Sequence, residues 1–143
     1  MKNDLVIDFN TVFSSILNIG NSLIIFILNI IIGKFRFIAP EYMYLEISKH
    51  TNDIATKTNF SLEDAQEILK SIIKQITFIP DKEFIDKIEE ARKILKGHEK
   101  DAPYLALALT LNCNILSGDK IFKKLCPDKV RNPKEILNTF YPN

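Results

Sequence analysis

Two cysteines, two histidines and no tryptophan leave this chain short of the residues on which several common chemistries depend. Cys113 and Cys126 form no CxxC pair and have no histidine nearby in sequence, which excludes a zinc site of about four ligands. They read as reduced thiols in or near a core, and no disulfide framework follows. His50 and His98 are isolated, with no HExxH spacing. An excess of one charge sign is also lacking. The formal net charge is +1, so no global basic field announces a nucleic-acid partner. A pocket of several acids would still leave the remaining surface more basic than that total.

A long apolar run is lacking too. LIIFILNIII, Leu23 to Ile32, has half of the roughly 20 residues that a membrane-spanning helix needs. Ser14, Ser15, Asn18, Gly20, Asn21 and Ser22 precede it, all costly in hydrocarbon. No cationic start leads into an apolar stretch with a small-residue cleavage site. The expectation is therefore no membrane, no signal peptide and a cytoplasmic protein. A helix apolar on nearly every side is explained by burial, with one face left for a partner subunit, so a homodimer is expected. Repeats, low-complexity tracts and Gly/Ser-rich linkers are absent. The length of 143 residues, 46% hydrophobic and 26% charged, suits one globular domain over residues 1–143.

What is present is an alternation of short apolar runs and helical periods. Leu5-Val6-Ile7 reads as a strand ending in Asp8, followed by a helix over Thr11–Asn18. Gly20 breaks that helix, and Gly33 stops the apolar one after it. Arg36-Phe37-Ile38-Ala39 is a second strand, closed by Pro40, and Glu41 to Lys49 is helical. Ser61 starts the next helix, with Asp64 three residues on in a capping-box arrangement. Its stripe runs Leu62, Ala65, Ile68, Leu69, Ile72, Ile73 and Ile76. Thr77-Phe78-Ile79 forms a brief strand before Pro80. Asp81 then caps a helix with the stripe Phe84, Ile85, Ile88, Ala91, Ile94 and Leu95, ended by Gly97. An Asp101–Leu111 helix, an Ile115-Leu116 strand and a last helix opened by Asn132-Pro133 complete the chain. This alternation predicts an α/β fold with a mostly parallel sheet, in which ligands bind beyond the carboxyl ends of the strands.

Four acids fall near such ends. Asp8 follows the first strand, Asp119 follows Ser117 after a later strand, and Glu46 lies on the helix after the second strand. Asp101 sits in the first turn of its helix, where it suits a cap as well as a ligand. Asp119 also fits a turn in SGDK, and Glu46 a solvated helix face. Asp8 is hardest to place at the surface, because it directly ends an apolar run. Carboxylates converging in one cleft repel unless a cation neutralises them, and Mg²⁺ or Mn²⁺ prefers such oxygen ligands. An ion held there would lower the pKa of a bound water and stabilise a departing oxygen, as phosphodiester hydrolysis requires.

In order and context these acids resemble the PIN-domain ribonucleases. The matching segments are LVIDFNTVFSSIL, FIAPEYMYLEISKH, KDAPYLALAL and NCNILSGDKIF. The resemblance implies a three-layer α/β/α fold with a parallel sheet and a Mg²⁺- or Mn²⁺-dependent endoribonuclease centre. It carries the roles of metal ligand or water-positioning group to Asp8, Glu46, Asp101 and Asp119, which shifts Asp101 from cap toward ligand. It makes Asn10 and Ser117 the polar groups that fix those carboxylates. Many members are toxins of toxin–antitoxin pairs and others process ribosomal or messenger RNA, which implies RNA as substrate and, for a toxin, an antitoxin protein as a partner. Lys120 stands where some members have a further acid, so one well-held ion is expected rather than two. Lys34, Arg36, Lys49, His50, Lys120, Lys123, Lys124 and Arg131 flank the motifs, either as a basic rim for RNA phosphates or as the solvated surface of a lysine-rich protein. A PIN-like module that binds RNA or protein without catalysis is the competing class. A phosphatase using Asp8 as nucleophile is disfavoured, because DFN lacks the second aspartate of a DxD motif.

Overall fold

Strand β1 (Asn3–Ile7) carries Leu5, Val6 and Ile7 in succession, all at most 1% exposed. A strand lacks polar alternation in this way when both faces of its sheet are covered. Strand β2 (Phe35–Pro40) repeats the pattern, with Phe37, Ile38 and Ala39 buried. With β3 (Ile76–Ile79), β4 (Asn114–Leu116) and β5 (Val130–Arg131) they form a five-stranded sheet of order β3-β2-β1-β4-β5. Every pairing is parallel. The structure is a computed structural model and describes residues 2–141.

Parallel neighbours need crossover connections, and these are right-handed. Helices α1 (Phe9–Leu17) and α2 (Asn21–Ile32) join β1 to β2. Helices α3 (Tyr42–Lys49), α4 (Thr51–Lys57) and α5 (Leu62–Gln75) join β2 to β3, and α1 packs on both α2 and α5. The chain then returns past β1 through α6 (Ile88–Leu95) and α7 (Ala102–Leu111), with α7 lying over β1, β2 and β4. Reversed travel with unchanged handedness puts this pair on the opposite face, which makes three α/β/α layers. Helix α8 (Lys120–Leu125) leads to β5, and α9 (Pro133–Asn138) packs on α2. The strand order reverses between β1 and β4. Such a switch point opens a crevice at the carboxyl edge.

Several local expectations are corrected. At Ser61 the hydroxyl accepts from the Asp64 N–H, but among the described residues no Asp64 side-chain bond returns to the Ser61 backbone. The aspartate is one methylene shorter than the glutamate that closes a capping box. The full box is at the last helix, where Asn132 and Glu135 bond reciprocally. Asp81 caps no long helix. Two 3-10 turns, Asp81–Glu83 and Ile85–Lys87, precede α6, and Phe84 between them has φ −130°. The helices α4 and α8 and the strand β5 are additions to the sequence reading; each is too short to establish a period.

The apolar run lies in α2, where Leu23, Ile25, Phe26 and Asn29 are buried. The Asn29 side chain bonds both the N–H and the C=O of Phe35 and so fastens the helix to β2. Its outer face leaves Ile27, Ile30, Ile31 and Ile32 exposed. Gly33, at φ 69°, takes the left-handed turn that ends the helix. Among the described residues no single helix is long and apolar enough to cross a membrane.

Candidate active site

The β1 strand ends at Asp8, which serves as N-cap of α1. A capping aspartate accepts from the N–H three residues on, here Thr11, at 2.9 Å. The Thr11 hydroxyl lies 2.7 Å from the same Asp8 Oδ1 and 3.1 Å from the carbonyl oxygen of Leu116 on β4. The Ser117 hydroxyl donates to Asp8 Oδ2 and accepts from the Asp119 N–H at 3.1 Å. Three elements therefore meet on one buried carboxylate. Burial pushes the Asp8 pKa upward, and the Ser117 and Thr11 hydrogen bonds work against that rise.

Glu46 projects from α3, half-buried, and accepts from the hydroxyl of Tyr104 on α7. Desolvation raises its pKa, the Tyr104 bond lowers it, and the Asp8 charge raises it again. Asp101 ends a 3-10 turn, Glu99–Asp101, at the N-cap position of α7, yet its side chain makes no capping bond. The cap reading of this residue is thereby removed. Among the described residues no donor reaches its carboxylate, although the residue is only 7% exposed. Burial pushes its pKa up to about 6, assisted by the negative charges of Asp119, Asp8 and Glu46. Asp119 caps α8 instead: its Oδ1 accepts from the N–H groups of Ile121 and Phe122 at 2.9 and 3.2 Å.

Asp8, Asn10, Glu46, Lys100, Asp101 and Tyr104 line a hollow of about 20 Å³, with Phe9. That is room for one water-sized body. Asp119 lines an adjacent hollow of about 220 Å³ with Thr11, Ser14 and Gly118, and Asn10 borders both. The acids thus share one region, but among the described residues no three His, Cys, Asp or Glu side chains are gathered closely enough to hold an ion as they stand. The donor chemistry fits a hard cation nonetheless. Its ligating atoms are oxygens alone, the Asp101 carboxylate has no protein donor among the described residues and keeps access to solvent, and the space matches one small ion.

A PIN-domain family model matches residues 6–133. The chain belongs to the PIN-domain family. No curated protein is similar enough to match it. PIN domains are a nuclease-type family and typically use divalent metals, which agrees with the all-oxygen donor set of this PIN domain.

The supporting residues differ from expectation. Asn10 is exposed at the mouth, and among the described residues it makes no hydrogen bond to the acids; Thr11 makes those bonds. Ser117 donates to Asp8, the contact that the family resemblance implied. Thr11 was legible as the third residue after a capping aspartate, and Tyr104 as one of two hydroxyl-bearing residues, with Thr110, in an otherwise apolar helix. Lys100, which lines the hollow and lowers the pKa of both Glu46 and Asp101, had no such signal.

The basic rim is only partly assembled. Lys34 and Arg36 stand at the start of β2, at the opposite edge of the sheet, where Arg36 pairs with Asp4 at 2.8 Å. Arg131 bonds the carbonyl oxygens of Pro127, Asp128 and Val130. Lys123 pairs with Glu135 at 2.7 Å. His50 packs against Phe9 and Phe13 and lies 2.9 Å from Asp53. Lys49, Lys120 and Lys124 are exposed, with Lys49 over the Tyr42 ring.

Proposed function

We propose that this PIN domain is a Mg²⁺- or Mn²⁺-dependent endoribonuclease hydrolysing RNA phosphodiester bonds. One observation carries the reading: at the switch point between β1 and β4, three carboxylates line a hollow of ionic size, and that of Asp101 has no donor among the described residues. Asp8, Glu46 and Asp101 would hold the ion, with Asp119 contributing through Oδ2, the oxygen its cap leaves free. When bound, the ion supplies charge neutralisation, a water of lowered pKa and stabilisation of the departing oxygen. The chain's own part is positional. Thr11 and Ser117 fix both oxygens of Asp8, while the Asp119 N–H, on the Ser117 hydroxyl, aligns the second hollow with the first. Lys49, Lys120 and Lys124, with Lys123 beside them, would steer RNA phosphates toward the acids.

The test is cleavage of single-stranded RNA with Mn²⁺ and with EDTA, for the wild type, Asp8→Asn and Asp101→Asn. Each substitution is expected to lower the rate by roughly 100-fold or more. Activity that ignores EDTA, or survives either change, overturns the reading. A module that binds RNA or protein without catalysis is favoured by the separation of the acids, and predicts RNA binding indifferent to Mn²⁺.

The same proposal extends to a cytoplasmic, single-domain protein whose partners besides RNA are an antitoxin protein and a second copy of the chain. The exposed isoleucines of α2 would form the homodimer contact. Light scattering at micromolar concentration is expected to give twice the monomer mass, and Ile30→Glu with Ile31→Glu the monomer alone.

A further inference from the structure

Helix α7 is buried on nearly all sides: Ala102, Leu105, Ala106, Leu107 and Ala108 are each at most 2% exposed. Tyr104 is equally buried and carries a hydroxyl into this apolar setting. A buried hydroxyl requires a partner, and the partner among the described residues is Glu46 Oε1.

The acids differ in what holds them. Asp8 is gripped through both oxygens by Thr11 and Ser117, and Asp119 is held by two backbone N–H groups. Both are short side chains at element ends. Glu46 has one more methylene, projects from the middle of α3, and is only half-buried. It has the most rotamer freedom to lose on joining the site. Among the described residues, the one side-chain bond restraining it comes from across the cleft, from the helix that Asp101 precedes.

We infer that Tyr104 is a positioning residue, whose hydroxyl clamps Glu46 Oε1 and leaves Oε2 for a divalent cation. The inference rests on the metal-dependent reading above. It assigns this chain a cross-cleft support between α3 and α7, which sets the Glu46 carboxylate before the ion arrives. The phenolic hydroxyl donates to Oε1, so that oxygen is engaged before the ion arrives and Oε2 is the one that faces it.

The test titrates Mn²⁺ calorimetrically into the full chain as wild type, Tyr104→Phe, Glu46→Gln and the double variant. RNA cleavage is followed at subsaturating and saturating Mn²⁺. Tyr104→Phe keeps the ring and removes the donor. It is expected to melt as the wild type does in EDTA, bind Mn²⁺ about 10-fold more weakly and regain most of its cleavage rate at saturating Mn²⁺. In the Glu46→Gln background it is expected to cause no further loss. A merely structural role predicts a lower melting temperature with unchanged affinity, and that result overturns the inference, as does full additivity of the two losses. Tyr104→Met also lacks a donor but fills the space with a pliable chain, and it repeats the measurement if the phenylalanine variant does not fold. Unaltered affinity in Tyr104→Phe with a wild type that binds Mn²⁺ sinks this inference alone; a wild type that binds none sinks the metal reading with it.

Discussion

The two edges of the sheet treat their carboxylates in opposite ways. At the amino edge Asp4 lies beside Arg36, and that hydrogen-bonded guanidinium holds its pKa below the ordinary value. At the carboxyl edge Asp8, Glu46 and Asp101 are all raised, burial first among the causes. The amino edge has the larger hollow, about 1090 Å³ against 20 Å³, lined by residues including Lys2, Asp4, Lys34 and Arg36. On the proposed reading the site lies at the smaller hollow, marked by carboxylates raised by burial and not by volume. Burying acids without a cation costs stability, and that cost is tolerated where a ligand removes it.

The comparison can be broken most severely through activity. Asp4→Asn at the amino edge is expected to leave RNA cleavage intact, against the large losses from Asp8→Asn and Asp101→Asn. Next in size is the response to metal. Mn²⁺ at a hundredfold excess over its Kd is expected to stabilise the wild type and Asp4→Asn by about 2.7 kcal/mol, read as a higher melting temperature. Asp8→Asn is expected to lose that increment.

Smaller effects concern the metal-free protein and carry opposite signs at the two edges. Asp101 has a folded pKa of about 6, above its ordinary 3.8, so between these values the folded state binds more protons than the unfolded. Its contribution to stability therefore falls as pH rises through that window and stays unfavourable above it. Asp101→Asn is expected to stabilise the metal-free protein at pH 7 by about 1–2 kcal/mol, since water at the cleft mouth screens part of the repulsion. That gain should vanish as pH falls toward 4 in melts with EDTA. Asp4 has the reverse sign: its pairing stabilises above the ordinary carboxylate pKa and is lost as pH falls through the depressed value. Asp4→Asn is expected to cost at most about 1 kcal/mol at pH 7, as for other exposed pairs.

Why the carboxyl edge was legible from sequence follows from where its residues sit. LVI before Asp8 and NIL before Ser117 are apolar strands that end in polar residues, and a parallel sheet places all such ends together. The resemblance to PIN domains rested on that order, and the family match over residues 6–133 supports it. Less legible was which neighbour supports each acid. Asn10 looked suited by type, yet capping geometry selects the third residue, Thr11. Asp101 looked like a cap by position, but an added 3-10 turn sets its carboxylate toward the hollow. The break at Phe84 was hidden because two 3-10 turns and a helix preserve nearly the same apolar spacing. The basic rim misled because Lys34 and Arg36, close to a motif in sequence, begin a strand whose far end faces the acids.

The bond between Ser117 and Asp8 spans 109 positions of the chain. β1 occupies the centre of the sheet from the amino-terminal end of the sequence, while its neighbour β4 is supplied near the other end. Contacts so distant in sequence form late in folding, after the intervening loop has been closed. During synthesis the carboxylate of Asp8 thus waits for 109 further residues before its second oxygen is held. A partly made chain has the acid but not its setting, so maturation of the cleft is timed by completion of the fold.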